Sequence, residues 1–249
     1  MTPYEHLAHH YDSLFRLNPQ VVAFLERELG GFEGRRLVDA GCGTGTLARA
    51  LADRGAWVLA VDLDEALLPL AHRKAQQPPP FLVQRGDIRD FACEGGLDAL
   101  LCLGNTLPHL PDEASVRTFF RHAIQLLRPG GLLLVQVVNY DRVLDRGVWE
   151  LPVLQAGTVQ LHRDYQPLPD GRLLFRTRLE APEGSTASEH PLLPIRSTEL
   201  EAAARAAGWS EIHLLGDWEG APFSVGAPAL VLKGVRKQAA GVMDSGIEP

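Results

Sequence analysis

Residues 37–45 read Leu37-Val38-Asp39-Ala40-Gly41-Cys42-Gly43-Thr44-Gly45, an apolar run that ends in an acid and three alternating glycines. The next apolar run, Trp57-Val58-Leu59-Ala60-Val61, ends in Asp62. A buried strand of the first kind feeds a turn whose bare backbone can lie against a ligand, and a helix begins just beyond it. The second strand delivers a carboxylate where a ribose presents its two hydroxyls. Together they constrain the chain to a nucleoside-binding half of a doubly wound α/β sheet.

The glycine spacing selects among nucleosides. A dinucleotide fingerprint reads G-x-G-x-x-G and sets a pyrophosphate on a helix N-terminus. Here the pattern is G-x-G-x-G, and no Lys or Arg lies between Val38 and Ala48 to meet a phosphate. Asp39 repels an anion and suits an amino or sulfonium charge. An NAD-dependent oxidoreductase is therefore disfavoured. The stretch resembles motif I of class I S-adenosylmethionine (SAM)-dependent methyltransferases. That resemblance implies SAM as cofactor, S-adenosylhomocysteine (SAH) as product, and cofactor contacts at Asp39, Ala40, Gly41, Cys42, Gly43, Gly45 and Asp62.

Element signals along the chain agree with such a fold. Residues 4–29 show helical spacing broken at Asn18-Pro19, with the second helix capped by Asn18 and closed by Gly30-Gly31. Strands are expected at 36–40, 57–61, 81–84, 97–103 and 132–138, separated by helices at about 45–54, 64–76 and from Asp112 to Pro129. Pro69 should bend or shorten the second of these. After Asn139 the period changes. Val159 and Leu161 alternate with polar residues, Pro169-Asp170-Gly171 makes a turn, and Leu173, Phe175, Thr177 and Leu179 share one face. The stretch 181–188 reads as a polar loop, followed by a helix near 198–207 and strands near 209–215 and 227–235. The expectation is a doubly wound, mostly parallel seven-stranded sheet with an antiparallel last strand and a small β-hairpin lid. It forms one domain over 1–249, with a lid and substrate region inserted at 142–195 and a disordered tail over 238–249.

Further motifs follow strands three, four and five. Gly86-Asp87-Ile88 resembles the segment whose acid accepts from the adenine amino group while the next apolar residue packs on the ring; Leu63 covers the other face. Leu103-Gly104-Asn105-Thr106-Leu107-Pro108-His109-Leu110 and Arg128-Pro129-Gly130-Gly131-Leu132 through Asn139-Tyr140-Asp141 resemble the glycine and sarcosine N-methyltransferase group. Tyr4 and Tyr11-Asp12 resemble the short helix that covers the SAM pocket in that group. The resemblance implies a cofactor contact at Leu103 and Tyr11, and catalytic candidates in His109, Tyr11 and Asn105. It also implies an acceptor other than glycine: the glycine-specific relatives carry an arginine immediately before the Asn-Tyr-Asp motif, and this chain has Val138. Arg142 or Arg163 could compensate from another direction.

Direct in-line transfer to an N- or O-nucleophile requires little beyond alignment, exclusion of water and a proton acceptor, for which His109 or a tyrosine could serve. A SAM-binding regulator without turnover remains the alternative from a different class. The formal net charge of −7 and the lack of a Lys/Arg cluster argue against nucleic acid and for a small-molecule acceptor. No apolar run approaches the length of a membrane span, and the first residues lack a signal-peptide pattern. Three cysteines without paired spacing point to a reducing, cytoplasmic setting. His9-His10 reads as a solvated face, and no metal is expected. A homodimer stands as an open expectation.

Overall fold

The computed structural model describes residues 4–237. The tail expectation, 238–249, lies outside the described residues. The chain begins with a 3-10 turn, Glu5–Leu7, and a single helical turn, α1 (Tyr11–Leu14), before α2 (Pro19–Leu29). Asn18 caps α2 by accepting from the Gln20 amide, and Gly30 ends it in the left-handed conformation. The first segment is less helical than its spacing predicts. Its apolar residues Leu7 and Leu14 are drawn onto Val159, Leu161 and Leu179 of a separate sheet, and they bury there.

The central sheet alternates with helices: β1 (Arg36–Ala40), α3 (Thr46–Ala52), β2 (Trp57–Asp62), α4 (Leu68–Ala75), β3 (Leu82–Arg85), β4 (Leu97–Cys102), α5 (Glu113–Leu126) and β5 (Leu127–Val138). Every residue of β4 is buried, as a strand covered on both faces requires. Pro69 falls in the first turn of α4, so the helix starts at Leu68 and the Asp64 side chain caps the preceding turn through the Ala66 and Leu67 amides. The expected strand at Leu132 begins earlier, at Leu127. Pro129-Gly130-Gly131 does not separate helix from strand but forms an irregularity within β5, where the register with β4 shifts. A Cβ at Gly131 would stand 2.8 Å from the Arg128 carbonyl and 3.0 Å from that of Leu97, too close for any side chain.

After β5 come α6 (Tyr140–Arg146), β6 (Glu150–Ala156), β7 (Val159–Pro167), β8 (Leu173–Ala181), β9 (Gly184–Leu192), α7 (Ser197–Ala206), β10 (Glu211–Leu215) and β11 (Ala229–Val235). The main sheet has seven strands in the order β10-β11-β5-β4-β1-β2-β3, parallel except where β11 runs against both neighbours. The second sheet is a four-stranded antiparallel meander, β6-β7-β8-β9. It contains the expected hairpin as β7 and β8, but 181–188 is no loop. Most of that stretch belongs to β9, an exposed edge strand whose pairing with β8 asks nothing apolar of its side chains. Tyr165, Leu173 and Leu192 join the main core, so the second sheet is seated on the first by burial. No helix among the described residues is long and apolar enough to cross a membrane.

Candidate active site

β4 lies on one side of β1 and β2 on the other, so the strand order reverses at β1. Open α/β sheets take ligands in the crevice at the carboxyl ends of such strands. A cavity of about 380 Å³ opens there. Its walls are Gly41 and Gly43 after β1, Asp62 and Leu63 at the end of β2, Asp87 and Ile88 after β3, and Leu103 and Thr106 after β4, closed by Tyr4, Tyr11 and His109.

The glycine turn is crowded on its protein side. A Cβ on Gly41 would meet the Thr106 side chain at 2.3 Å, at a φ of +84° that strains any other residue. One on Gly43 would lie 3.3 Å from the Tyr11 hydroxyl. Gly45 instead faces Ala71 and Phe81, and Ala40 is wholly buried in β1; neither lines the cavity. The Asp62 carboxylate holds the turn by accepting from the Gly43 amide at 2.7 Å and the Asp64 amide at 2.9 Å. Each oxygen keeps a further lone pair. Burial raises the Asp62 pKa, and these amides counteract the rise.

Asp39 is 3% exposed, and its Oδ2 is buried without a hydrogen-bond partner. Burial, and next the charge on Asp62, push its pKa up to about 7. Asp87 differs: both oxygens are taken by the Arg89 guanidinium, at 2.9 and 2.6 Å, which holds its pKa below the ordinary value. Ile88 is buried, whereas Leu63 is 52% exposed at the rim. A flat apolar ring inserted there would cover Leu63.

A second chamber, of about 420 Å³, shares Gly41, Leu103, Tyr4, Tyr11 and His109 with the first. It continues past Asp39, Cys42, Asn105 and Val138 to Phe15, Trp218 and four residues of the second sheet: Leu151, Arg163, Tyr165 and Phe175. Arg142 is not among its lining residues.

His109 stands in the common wall. Its Nε2 lies 3.0 Å from the Tyr4 hydroxyl, and its ring stacks on His190 at 4.8 Å. Burial, followed by His190, lowers its pKa to about 4, so the imidazole is neutral at pH 7. Burial raises the Tyr11 pKa and keeps that phenol protonated. Asn105 has a φ of +69°; its amide nitrogen donates to the Tyr140 hydroxyl and its oxygen accepts from the Val138 amide. Those bonds tie the end of β4 to β5 and leave Asn105 a framework group beside the chamber. The cover is fastened across α3 and α4. Asp12 pairs with Lys74 at 2.7 Å and accepts from the hydroxyls of Thr44 and Thr46.

A methyltransferase-domain family model matches residues 37–131. The ubiquinone biosynthesis O-methyltransferase of Acinetobacter baumannii (strain ACICU) is 30% identical over 166 residues, which are 62% of this chain and 67% of the relative. The chain belongs to the class I SAM-dependent methyltransferases. A SAM-dependent methyltransferase from Clostridium acetobutylicum has the same fold at a TM-score of 0.76 and 17% identity, covering 95% of this chain and all of that one. A SAM-bound amino pentose methyltransferase from Micromonospora echinaspora follows at 0.66 and 20%, covering 95% and 98%. The methyl donor of this methyltransferase is SAM. The site fits it: the orphaned oxygen of Asp39 is a group that a cationic ligand completes, and Asp62 keeps lone pairs for hydroxyl donors.

The second chamber is where sequence reasoning fell short. Phe15, Tyr165 and Trp218 were not singled out, Phe175 was placed on one face of the hairpin without a role, and β6 was not foreseen. One signal was present: Arg163 sits between Leu161 and Tyr165 at two-residue spacing, a charge on what is otherwise an apolar face.

Proposed function

We propose that this methyltransferase acts on a hydroxyl group of a small acceptor seated in the second chamber. The observation that carries the reading is the wall shared by the two chambers, where His109 and Tyr11 face both. In this reading Asp62 takes the ribose hydroxyls, and Ile88 and Leu63 enclose the adenine. Asp39 and the Tyr11 ring face the positive end, a ring–cation contact worth about 0.5–2 kcal/mol. SAM, when bound, supplies a methyl group on a positive sulfur, already activated for displacement.

The protein's own tasks are to align the acceptor, exclude water and take up one proton. The Tyr4–His109 pair is placed for the last. A base with a pKa of about 4 cannot strip a protonated amine beforehand, which favours oxygen over nitrogen. A hydroxyl becomes strongly acidic as its new bond to carbon forms, and a weak neutral base then suffices. The motifs around Asn105 and Tyr140 resemble the glycine and sarcosine group, but Val138 offers no partner for a carboxylate at the place where the glycine-specific relatives carry an arginine. The test is incubation with methyl-labelled SAM and a small-metabolite extract, followed by identification of the labelled product. An O-methylated small molecule is expected. Recovery of an N-methyl product alone overturns the oxygen assignment, and label confined to protein or nucleic acid overturns the small-molecule reading.

A further inference from the structure

The second sheet treats its arginines unequally. On the face away from the chamber, Arg176 pairs with Asp164, and Arg178 pairs with Glu180. Arg163 lies on the other face, in line with the buried Val159, Leu161 and Tyr165. Among the described residues its one hydrogen bond runs from Nη2 to the Pro152 carbonyl at 2.9 Å, and its guanidinium carbon is 6.0 Å from the centre of the Phe15 ring. Its Nε is buried with no partner, and among the described residues no carboxylate pairs with it. Burial lowers its pKa, the mark of a cation whose lost hydration its protein contacts replace only in part.

We infer that Arg163 is the specificity-determining residue of the acceptor chamber and grips a carboxylate on a planar hydroxy acid. The inference rests on the reading of that chamber as the acceptor site. A guanidinium with no carboxylate partner presents a fork with donors to spare, and a carboxylate matches that fork. The chamber supplies one half-buried cation of this kind, its Nε out of reach of solvent; Arg16, its other lining arginine, is exposed. One half-buried positive charge matches the single charge of a carboxylate better than the near-double charge of a phosphate monoester. Asp39 lines the same chamber and further disfavours a dianion. The aromatic walls Phe15, Tyr165, Phe175 and Trp218 suit a flat body between the charged end and the reacting hydroxyl. Glycine or another very small acid would leave most of about 420 Å³ unfilled.

Calorimetry on the SAH-loaded protein tests this with three probes: 4-hydroxybenzoate, its neutral counterpart 4-hydroxybenzamide, and phenyl phosphate. The benzoate should bind about tenfold or more tighter than the amide. Arg163→Gln should erase that preference, and Arg163→Lys should keep part of it, while both variants hold SAH within about twofold of the unmodified protein. Equal or better binding of the amide, a preference that survives Arg163→Gln, or no binding of any probe overturns the inference. Tighter binding of phenyl phosphate overturns the choice of carboxylate. Parallel loss of SAH reassigns Arg163 to the cofactor and overturns it as well. Phe175→Trp separates the two readings, because it fills the chamber. If the probes bind that variant undiminished, the chamber itself has been misassigned; if they are excluded while Arg163→Gln keeps the preference, only the carboxylate fails.

Discussion

The two walls of the site meet their ligands by different means. At the ends of β1, β2 and β4 the surface is backbone, bare glycine and short acids held by amides. Opposite, on the second sheet and residues 4–17, the surface is made of large side chains: Tyr4, Tyr11, Phe15, Arg163, Tyr165 and Phe175. A backbone-built wall has few sequences that can form it, since Gly41 is hemmed in by Thr106. A side-chain wall on a meander can be rewritten one residue at a time without disturbing the fold. With the second chamber proposed as the acceptor site, the difference would let one methyl donor be kept while acceptors change.

The sharpest way to break this comparison is Gly41→Ala. The new Cβ collides with Thr106, so SAH affinity should fall by more than about 100-fold, or the domain should lose much of its thermal stability. Normal calorimetry with an unchanged melting temperature would show that the turn is not constrained by its backbone. Next is Asp62→Ala. A hydrogen bond to a charged group is worth about 1.5–3 kcal/mol, so SAH binding should weaken roughly ten- to a hundredfold. Unchanged affinity would remove Asp62 from the ribose.

A smaller effect comes from pH. The folded-state pKa of Asp39, about 7, lies above its ordinary 3.8. Its contribution to the stability of the free protein is therefore complete below pH 3.8 and is lost as pH rises through 7. A cationic ligand selects the carboxylate, which gives binding the opposite sign. SAM affinity should rise about tenfold between pH 6 and 8, with proton release on binding. Asp39→Asn should flatten that profile; an identical slope in the variant would place the titrating group elsewhere. The smallest effect belongs to the other wall. Phe175→Leu should change SAH affinity by less than about twofold while lowering methyl transfer to the native acceptor. A comparable loss of SAH would merge the two walls into one.

The same contrast separates what could be read from the sequence. Strands β1, β2 and β4 were legible because buried parallel strands are written as continuous apolar runs, and the turn after β1 because few residues other than glycine can occupy it. Asp62 and the capping Asn18 were legible for similar reasons: a position at an element's end dictates a residue type. The strand at β9 was not, because an exposed edge is held by backbone pairing and leaves its side chains free to look like a loop. The start of β5 was hidden because Pro129-Gly130-Gly131 is the punctuation of a turn, yet here it is absorbed as an irregularity in the strand. The chamber residues were hidden for another reason. Phe15, Tyr165 and Trp218 come together only through the docking of three distant segments, and no local pattern records that docking. Asn105 was singled out as a catalytic candidate from its motif; its bonds to Tyr140 and Val138 are a matter of tertiary placement.

The fastening of Asp12 to Lys74, Thr44 and Thr46 bears on timing. An ion pair this close to solvent adds little to equilibrium stability, about 0–1 kcal/mol. Yet Tyr11, its neighbour in sequence, stands over the glycine turn and lines both chambers. The expected consequence is a donor residence time set by how long that segment stays fastened. Residence time should then be shortened by salt that loosens the Asp12–Lys74 clasp, even where the rate of the chemical step stays the same.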